Sequence, residues 1–271
     1  MNTGISEIPL APMRIILLVN DSFFSYQIAR PIIEAHADKI VLAVFSRYTT
    51  GSRQRVIRIA RTASWRYLIY RTFVQLAPCL RYRASITVRR LVTKYQIPFV
   101  ESTQINGARA HAEINESRAN IAVAINFDQI LHKKTLSLLQ YGVLNAHASK
   151  LPADRGISPA LWAFARGDPE VWVSLYKMDS GLDTGPIYEQ FPVKVEDRDS
   201  AFSLYRKVCL QSGEHMARLL KDVIGCRPFL QANSGKVEKP HSWPDDQFSS
   251  LLQRNGRQLM KWRDFATILL N

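Results

Sequence analysis

Three short apolar runs restrict the fold more than any other feature of this chain. Ile15-Ile-Leu-Leu-Val19, Ile40-Val-Leu-Ala-Val-Phe45 and Ile121-Ala-Val-Ala-Ile125 carry no polar interruption. Each therefore reads as a strand covered on both faces, the pattern of a buried parallel sheet. After the first run, Asn20-Asp21-Ser22 offers caps for a helix carrying Tyr26, Ile28, Ile32 and Ile33. Strand, helix and strand at this spacing form a right-handed βαβ unit, which calls for an open sheet with helices on both faces. The predicted fold class is α/β, with a mostly parallel Rossmann-like sheet, a basic helical insertion and a short C-terminal extension. No Gly-rich phosphate loop follows the first strand, so a dinucleotide site is disfavoured.

Further along, Ile97 to Val100 predicts a short strand and Ala108 to Asn115 a helix. A helix follows Pro159 and includes Trp162, and strands are expected over Val171 to Met178 and Ile187 to Val195. Asp199 to Leu220 reads as a helix with Phe202, Tyr205, Val208, Met216 and Leu219 inward. Past Val223 the signal thins, with one or two short helices expected between Phe248 and Leu270. The expected organisation is a catalytic domain over 1–222 and an extension over 223–271.

Charge singles out the insertion. The net charge is +13, yet Arg47 to Val100 holds twelve Lys or Arg and no Asp or Glu, so the basic character belongs to one segment. Within it, Val56, Ile59, Ala63, Tyr67, Tyr70 and Val74 keep three-to-four spacing, which predicts a helix, and Trp65, Leu68, Ile69 and Phe73 widen its apolar surface. Pro78 interrupts it, and Ile86 to Tyr95 predicts a second helix. Residues 47–95 suit an anionic substrate, a membrane surface or RNA. The plainer reading, favoured for a charge run, is an insertion whose apolar side packs on the domain or in a homodimer, with a solvated basic face. Three cysteines, Cys79, Cys209 and Cys226, share no metal-ligand spacing. No metal and a reducing, cytoplasmic location are expected, the more so because Met1 to Pro12 lacks the basic start of a secretory signal.

Two polar blocks carry the chemistry. Asn145 and His147 are two apart, so on an extended segment they leave from the same side. Asp183 arrives later in a Gly-flanked turn able to bring a carboxylate back to the imidazole. An amide donor, a titratable ring and an orienting carboxylate are parts for acyl transfer.

These blocks resemble the folate-dependent formyltransferase family, in which Asn-x-His-x-Ser-x-Leu-Pro-x-x-Arg-Gly precedes Met-Asp-x-Gly-x-Asp-Thr-Gly. The matching residues are Asn145, His147, Ser149, Leu151, Pro152, Arg155 and Gly156, then Met178, Asp179, Gly181, Asp183, Thr184 and Gly185. Where the family often has two leucines after the serine, this chain has Lys150-Leu151. The resemblance implies transfer of a formyl group from 10-formyltetrahydrofolate, as co-substrate, to a primary amine. Asn145 would donate to the oxygen on which charge develops. His147 would share in that or take the amine's proton, and Asp183 would fix its tautomer and stabilise the imidazolium form. Ser149 would support the loop, having no base placed to activate it. Turnover is expected to be lost in His147→Ala and Asp183→Ala, with folding and folate affinity kept.

By the same resemblance, the loop from Asn126 to Leu131 helps form the pteridine pocket through Phe127, Gln129, Ile130 and Leu131, with Asp179 also on the folate side. Asn20, Asp21 and Ser22 would face the acceptor, although helix capping explains them equally well. A small-molecule amine, anionic and carried on a nucleotide-linked amino sugar, is the acceptor expected. Methionyl-tRNA formyltransferases share the blocks but add a C-terminal barrel for which the residues after Leu220 show little strand alternation. A formyl-tetrahydrofolate hydrolase and a non-catalytic folate-binding or membrane-associated module are the remaining alternatives.

Overall fold

All five residues of the first apolar run are buried in strand β1 (Ile15–Val19). A computed structural model describes residues 12–47, 57, 59, 61–76, 87–223, 229, 233 and 240–270. The other strands are β2 (Ile40–Ser46), β3 (Phe99–Ser102), β4 (Ile121–Ile125), β5 (Val143–His147), β6 (Glu170–Lys177) and β7 (Ile187–Lys194). Their order is β3-β2-β1-β4-β5-β6-β7. Pairing is parallel from β3 to β5 and antiparallel from β5 to β7. The expected mostly parallel α/β sheet is what forms.

Alternate side chains of β1 enter opposite layers, which is why its sequence does not alternate. Ile15, Leu17 and Val19 join one cluster, and Ile16 and Leu18 the other. Burying each such side chain contributes about 1.5–3 kcal/mol. Helices α1 (Phe23–His36) and α7 (Ala201–Val223) cover the first layer, and α4 (Ala108–Glu116) covers the second through Ala110 and Ile114. Gly213 lets α7 approach α1 closely, since a Cβ there would sit 2.3 Å from the Ile28 carbonyl oxygen.

The chain leaves β1 towards β2 and β3, then returns on the other side with β4 and β5. The order therefore reverses between β1 and β4, and a crevice opens at the carboxyl ends of those strands. Asn20 to Ser22 follow β1 there, and Asn126 to Leu131 follow β4. The Asn20 N–H donates to the Ile125 carbonyl at 3.3 Å, joining the two strand ends.

One expectation needs correction. The single helix predicted through Val56 to Val74 is broken at Ala63–Ser64, and α2 spans Trp65–Leu76. Ser64 is buried, and its Oγ accepts from the Tyr67 N–H at 3.3 Å and meets Ser249 Oγ at 2.8 Å. A serine side chain that caps a new helix competes with continuing the old one. The second predicted helix is α3 (Val88–Lys94), capped by Thr87. Ile86, Val56 and Pro78 lie outside the described residues, as do Cys79 and Cys226. Cys209 is buried, and burial pushes its thiol pKa up. After the short α5 (Lys133–Leu136) and α6 (Pro159–Arg166), two C-terminal helices complete the chain: α8 (Asp246–Arg254) and α9 (Trp262–Leu270). Among the described residues no helix is long and apolar enough to cross a membrane.

Candidate active site

Strand β5 ends in the crevice, and its last residues set the site. Asn145 and His147 lie two apart on β5, as alternation requires. The antiparallel neighbour β6 places Tyr176 directly opposite Asn145 and Ser174 opposite His147. Residues opposed in this way lie on one face. Asn145 Nδ2 donates to Tyr176 Oη at 3.1 Å, and that hydroxyl donates to Asp183 Oδ1 at 2.9 Å. Burial first, then the Asp183 charge, raises the Tyr176 pKa well above the usual phenol range. The phenol therefore stays a donor to the carboxylate.

The three side chains named from sequence come together, but not by the contacts expected. His147 Nδ1 is 3.7 Å from Asp183 Oδ1, too long for a hydrogen bond but close enough for charge attraction. Its Nε2 faces the Asp154 carbonyl oxygen at 3.2 Å. A carbonyl only accepts, so this contact assigns the neutral ring's proton to Nε2 and leaves the lone pair on Nδ1. The backbone of Asp154, and not Asp183, thus sets the tautomer. Asp183 has its own anchors: it takes a left-handed φ of 52° and its Oδ2 accepts from the Gly156 N–H at 3.2 Å. Asn233 Nδ2 donates to its carbonyl at 2.7 Å. A non-glycine residue in that conformation holds only when its surroundings determine it.

Asp154 is held in turn by an ion pair to Arg166 at 2.9 Å and a hydrogen bond from His241 Nε2 at 2.6 Å. Burial would raise its pKa, but hydrogen bonds from His241 and Arg166 outweigh this and lower it. His241 stacks on Trp162 with ring centroids 5.1 Å apart, and its backbone bonds to Arg155 and Ile157. The C-terminal segment therefore braces the loop that carries the imidazole's partner. Ser149 Oγ donates to the Ala153 carbonyl at 2.9 Å, which fits loop support.

A cleft of about 700 Å³ lies beside these groups, within the range of small-ligand sites. Asn145 and His147 line it together with Asn20, Asp21, Ser22, Phe127 and Gln129. Ser22 caps α1 by accepting from the Ser25 N–H, and Asp21 Oδ1 accepts from the Val88 N–H at 2.8 Å. Burial raises the Asp21 pKa, against the opposing effects of that N–H and Arg89. Gln129 braces neighbouring strand ends through the Ile105 N–H, Ser46 and the Ser102 carbonyl. Four predicted residues do not line the cleft: Asp183, which reaches Asn145 through Tyr176, and three others. Ile130 is 80% exposed, Leu131 is buried in the second core layer, and Asp179 binds the Gly181 N–H and Thr184 Oγ1 within its own turn. Among the described residues, no group of three His, Cys, Asp or Glu could hold a metal.

Sequence reasoning missed Tyr176, Asp154, Asn233 and His241. Only strand register reveals the first, and only long-range folding the others. Tyr176→Phe removes both the acceptor for Asn145 and the donor to Asp183. A loss of roughly 1–2 kcal/mol in stability is expected, read from the urea midpoint, with turnover falling roughly tenfold.

The family model described as "Formyl transferase" matches residues 74–220. Methionyl-tRNA formyltransferase of Myxococcus xanthus (strain DK1622) is 32% identical over 155 residues, covering 56% of this chain and 50% of that protein. The chain spans about half the length, or less, of the curated relatives it matches. Among solved structures, glycinamide ribonucleotide transformylase 1 from Symbiobacterium toebii superposes with a TM-score of 0.59 at 14% identity, over 82% of this chain and 92% of that one. A sugar 3N-formyl transferase solved with dTDP and 5-N-formyl-THF gives 0.54 at 17% identity, over 86% and 70%. At such identities the likeness is one of fold.

Proposed function

We propose that this chain, which belongs to the formyl transferase family, moves a formyl group from 10-formyltetrahydrofolate to a primary amine, the amino group of a nucleotide-linked amino sugar. The observation that carries the reading is that Asn145 and His147 line the cleft together, with Asp183 in reach of both, through Tyr176 to the amide and at 3.7 Å from the imidazole. In this reading the uncharged amine attacks the formyl carbon and negative charge gathers on the formyl oxygen. Asn145 uses one amide hydrogen on Tyr176 and has a second to offer that oxygen. His147 accepts the amine's proton at Nδ1, and the Asp183 carboxylate stabilises the ring once it is charged. The nitrogen of tetrahydrofolate leaves with the C–N electron pair as the intermediate collapses and takes up a proton, which balances the one accepted by His147 and returns the ring to its neutral form.

Arg71 supports an anionic acceptor. Among the described residues lining the cleft it is the one Lys or Arg, and its guanidinium is held 4.4 Å over the Trp243 ring. Arg71→Ala is expected to raise KM for the acceptor by roughly ten- to a hundredfold, a charge-assisted hydrogen bond's worth. KM for the folate should change little.

The test is incubation with 10-formyltetrahydrofolate and a panel of nucleotide-linked amino sugars plus initiator Met-tRNA, following tetrahydrofolate release. Turnover with an amino sugar is expected. Turnover with Met-tRNA alone would replace the acceptor and favour the alternative suggested by the methionyl-tRNA formyltransferase relatives. Folate binding without turnover on any amine would overturn the enzymatic reading.

A further inference from the structure

We propose that the face carrying Trp65, Ile69 and Trp262 docks this protein on an anionic lipid surface. Trp65 and Ile69 stand one turn apart on α2 and are 65% and 62% exposed. One turn further, Phe73 meets Phe265 of α9 with ring centroids 4.9 Å apart. Phe265 lies 5.9 Å from Trp262, which is 83% exposed. An apolar ridge therefore runs from one helix to the other. Single exposed apolar residues are ordinary, but two tryptophans and an isoleucine joined in this way are not.

The charge around the ridge selects the partner. Arg61, Arg66 and Arg263 are exposed near its members, and the Arg66 guanidinium sits 5.5 Å from the Trp65 ring. The acid of α9, Asp264, is turned inward and accepts from Ser200 Oγ at 2.6 Å. No carboxylate occurs anywhere from Arg47 to Val100. A second copy joined about a two-fold axis would set this basic face against itself, which is repulsive. RNA would pair with the arginines but leave Ile69 without a suitable surface. Tryptophan and isoleucine entering the boundary of a bilayer, with arginines meeting anionic headgroups, satisfies both.

Helix α2 also joins this face to the cleft. Its other face carries Tyr67, Tyr70 and Arg71, all lining the cleft. A protein seated through Trp65 and Ile69 holds one helix between the lipid surface and its cleft.

The experiment is co-sedimentation of the full chain with phosphatidylglycerol and with phosphatidylcholine vesicles at low ionic strength, alongside analytical ultracentrifugation without lipid. Binding to phosphatidylglycerol alone is expected, with a blue shift of tryptophan emission and loss on adding salt. The combined W65S, I69S and W262S variant should reduce partitioning by at least roughly tenfold, as should Arg61→Glu with Arg66→Glu. These positions are exposed, so unchanged thermal melts are expected for both variants. No binding to phosphatidylglycerol vesicles would overturn the proposal, and so would full binding by the triple variant. It would equally fail if the ridge were found buried in a self-associated form, or if RNA and not vesicles protected it. Vesicle binding is read without formyl transfer, so it stands or falls apart from the proposed activity.

Discussion

His147→Ala is expected to lower turnover roughly a hundred- to ten-thousandfold, the usual contribution of a positioned general base. The fold should survive, because the ring makes one bond to a backbone carbonyl and one charge contact, and neither holds two elements of the sheet together. The change should fall on kcat and leave the folate Kd nearly unaltered. The measurement is tetrahydrofolate release under saturating donor, with a urea melt as control. A variant that melts like the parent and turns over like the parent would remove His147 from the mechanism. Asp183 does not offer so clean a test. Sequence reasoning expects Asp183→Ala to spare the fold, but its carboxylate satisfies both the Tyr176 hydroxyl and the Gly156 N–H. Leaving the buried Tyr176 hydroxyl without an acceptor costs about 1–3 kcal/mol, and the part-buried Gly156 N–H adds less. Asp183→Asn removes the charge and keeps one of the two acceptor oxygens, so it disturbs the fold less than Asp183→Ala and reads the electrostatic role more directly.

Asn145→Ala is the second large effect. Removing one donor to a developing oxyanion costs about 2.7–4 kcal/mol of barrier, or roughly a hundred- to thousandfold in kcat. The structure adds a signature that a loss of packing would not give. Asn145 also donates to Tyr176, so its removal breaks the chain of bonds that reaches Asp183. Asn145→Ala and Tyr176→Phe should therefore be non-additive, the double variant being little worse than Asn145→Ala alone. Full additivity in kcat would mean that the tyrosine acts by another route. Little change in kcat for Asn145→Ala would leave the formyl oxygen without its proposed donor.

How much of this was legible beforehand differs from part to part. The spacing of Asn145 and His147 sufficed to place them on one side of a strand, because the side-chain period of a strand is fixed. Their distance from Asp183 was another matter. The expected hydrogen bond to the ring is absent at 3.7 Å, and a backbone carbonyl takes over the tautomer. Nothing in a linear chain marks which carbonyl will face an imidazole. The insertion shows the same division. Helical spacing marked Tyr67 and Tyr70 as inward, and both are buried. The break at Ser64 depends on Ser249 and Pro244, distant residues that hold its hydroxyl and its N–H.

The sequence by itself marked the layers: short uninterrupted apolar runs bounded by polar residues read as strands covered twice, and amphipathic stretches as the helices beside them. It also held the candidate groups for the proposed chemistry, since an amide, an imidazole and a carboxylate have their chemistry wherever they lie. Only the tertiary structure decided which of them touch. Register across β5 and β6 set Tyr176 against Asn145, and the C-terminal return of His241 fixed Asp154 behind His147. The reason is physical. Burial follows from composition and period, which are local, whereas a hydrogen bond requires two atoms within about 3 Å, and that is settled by everything packed around them.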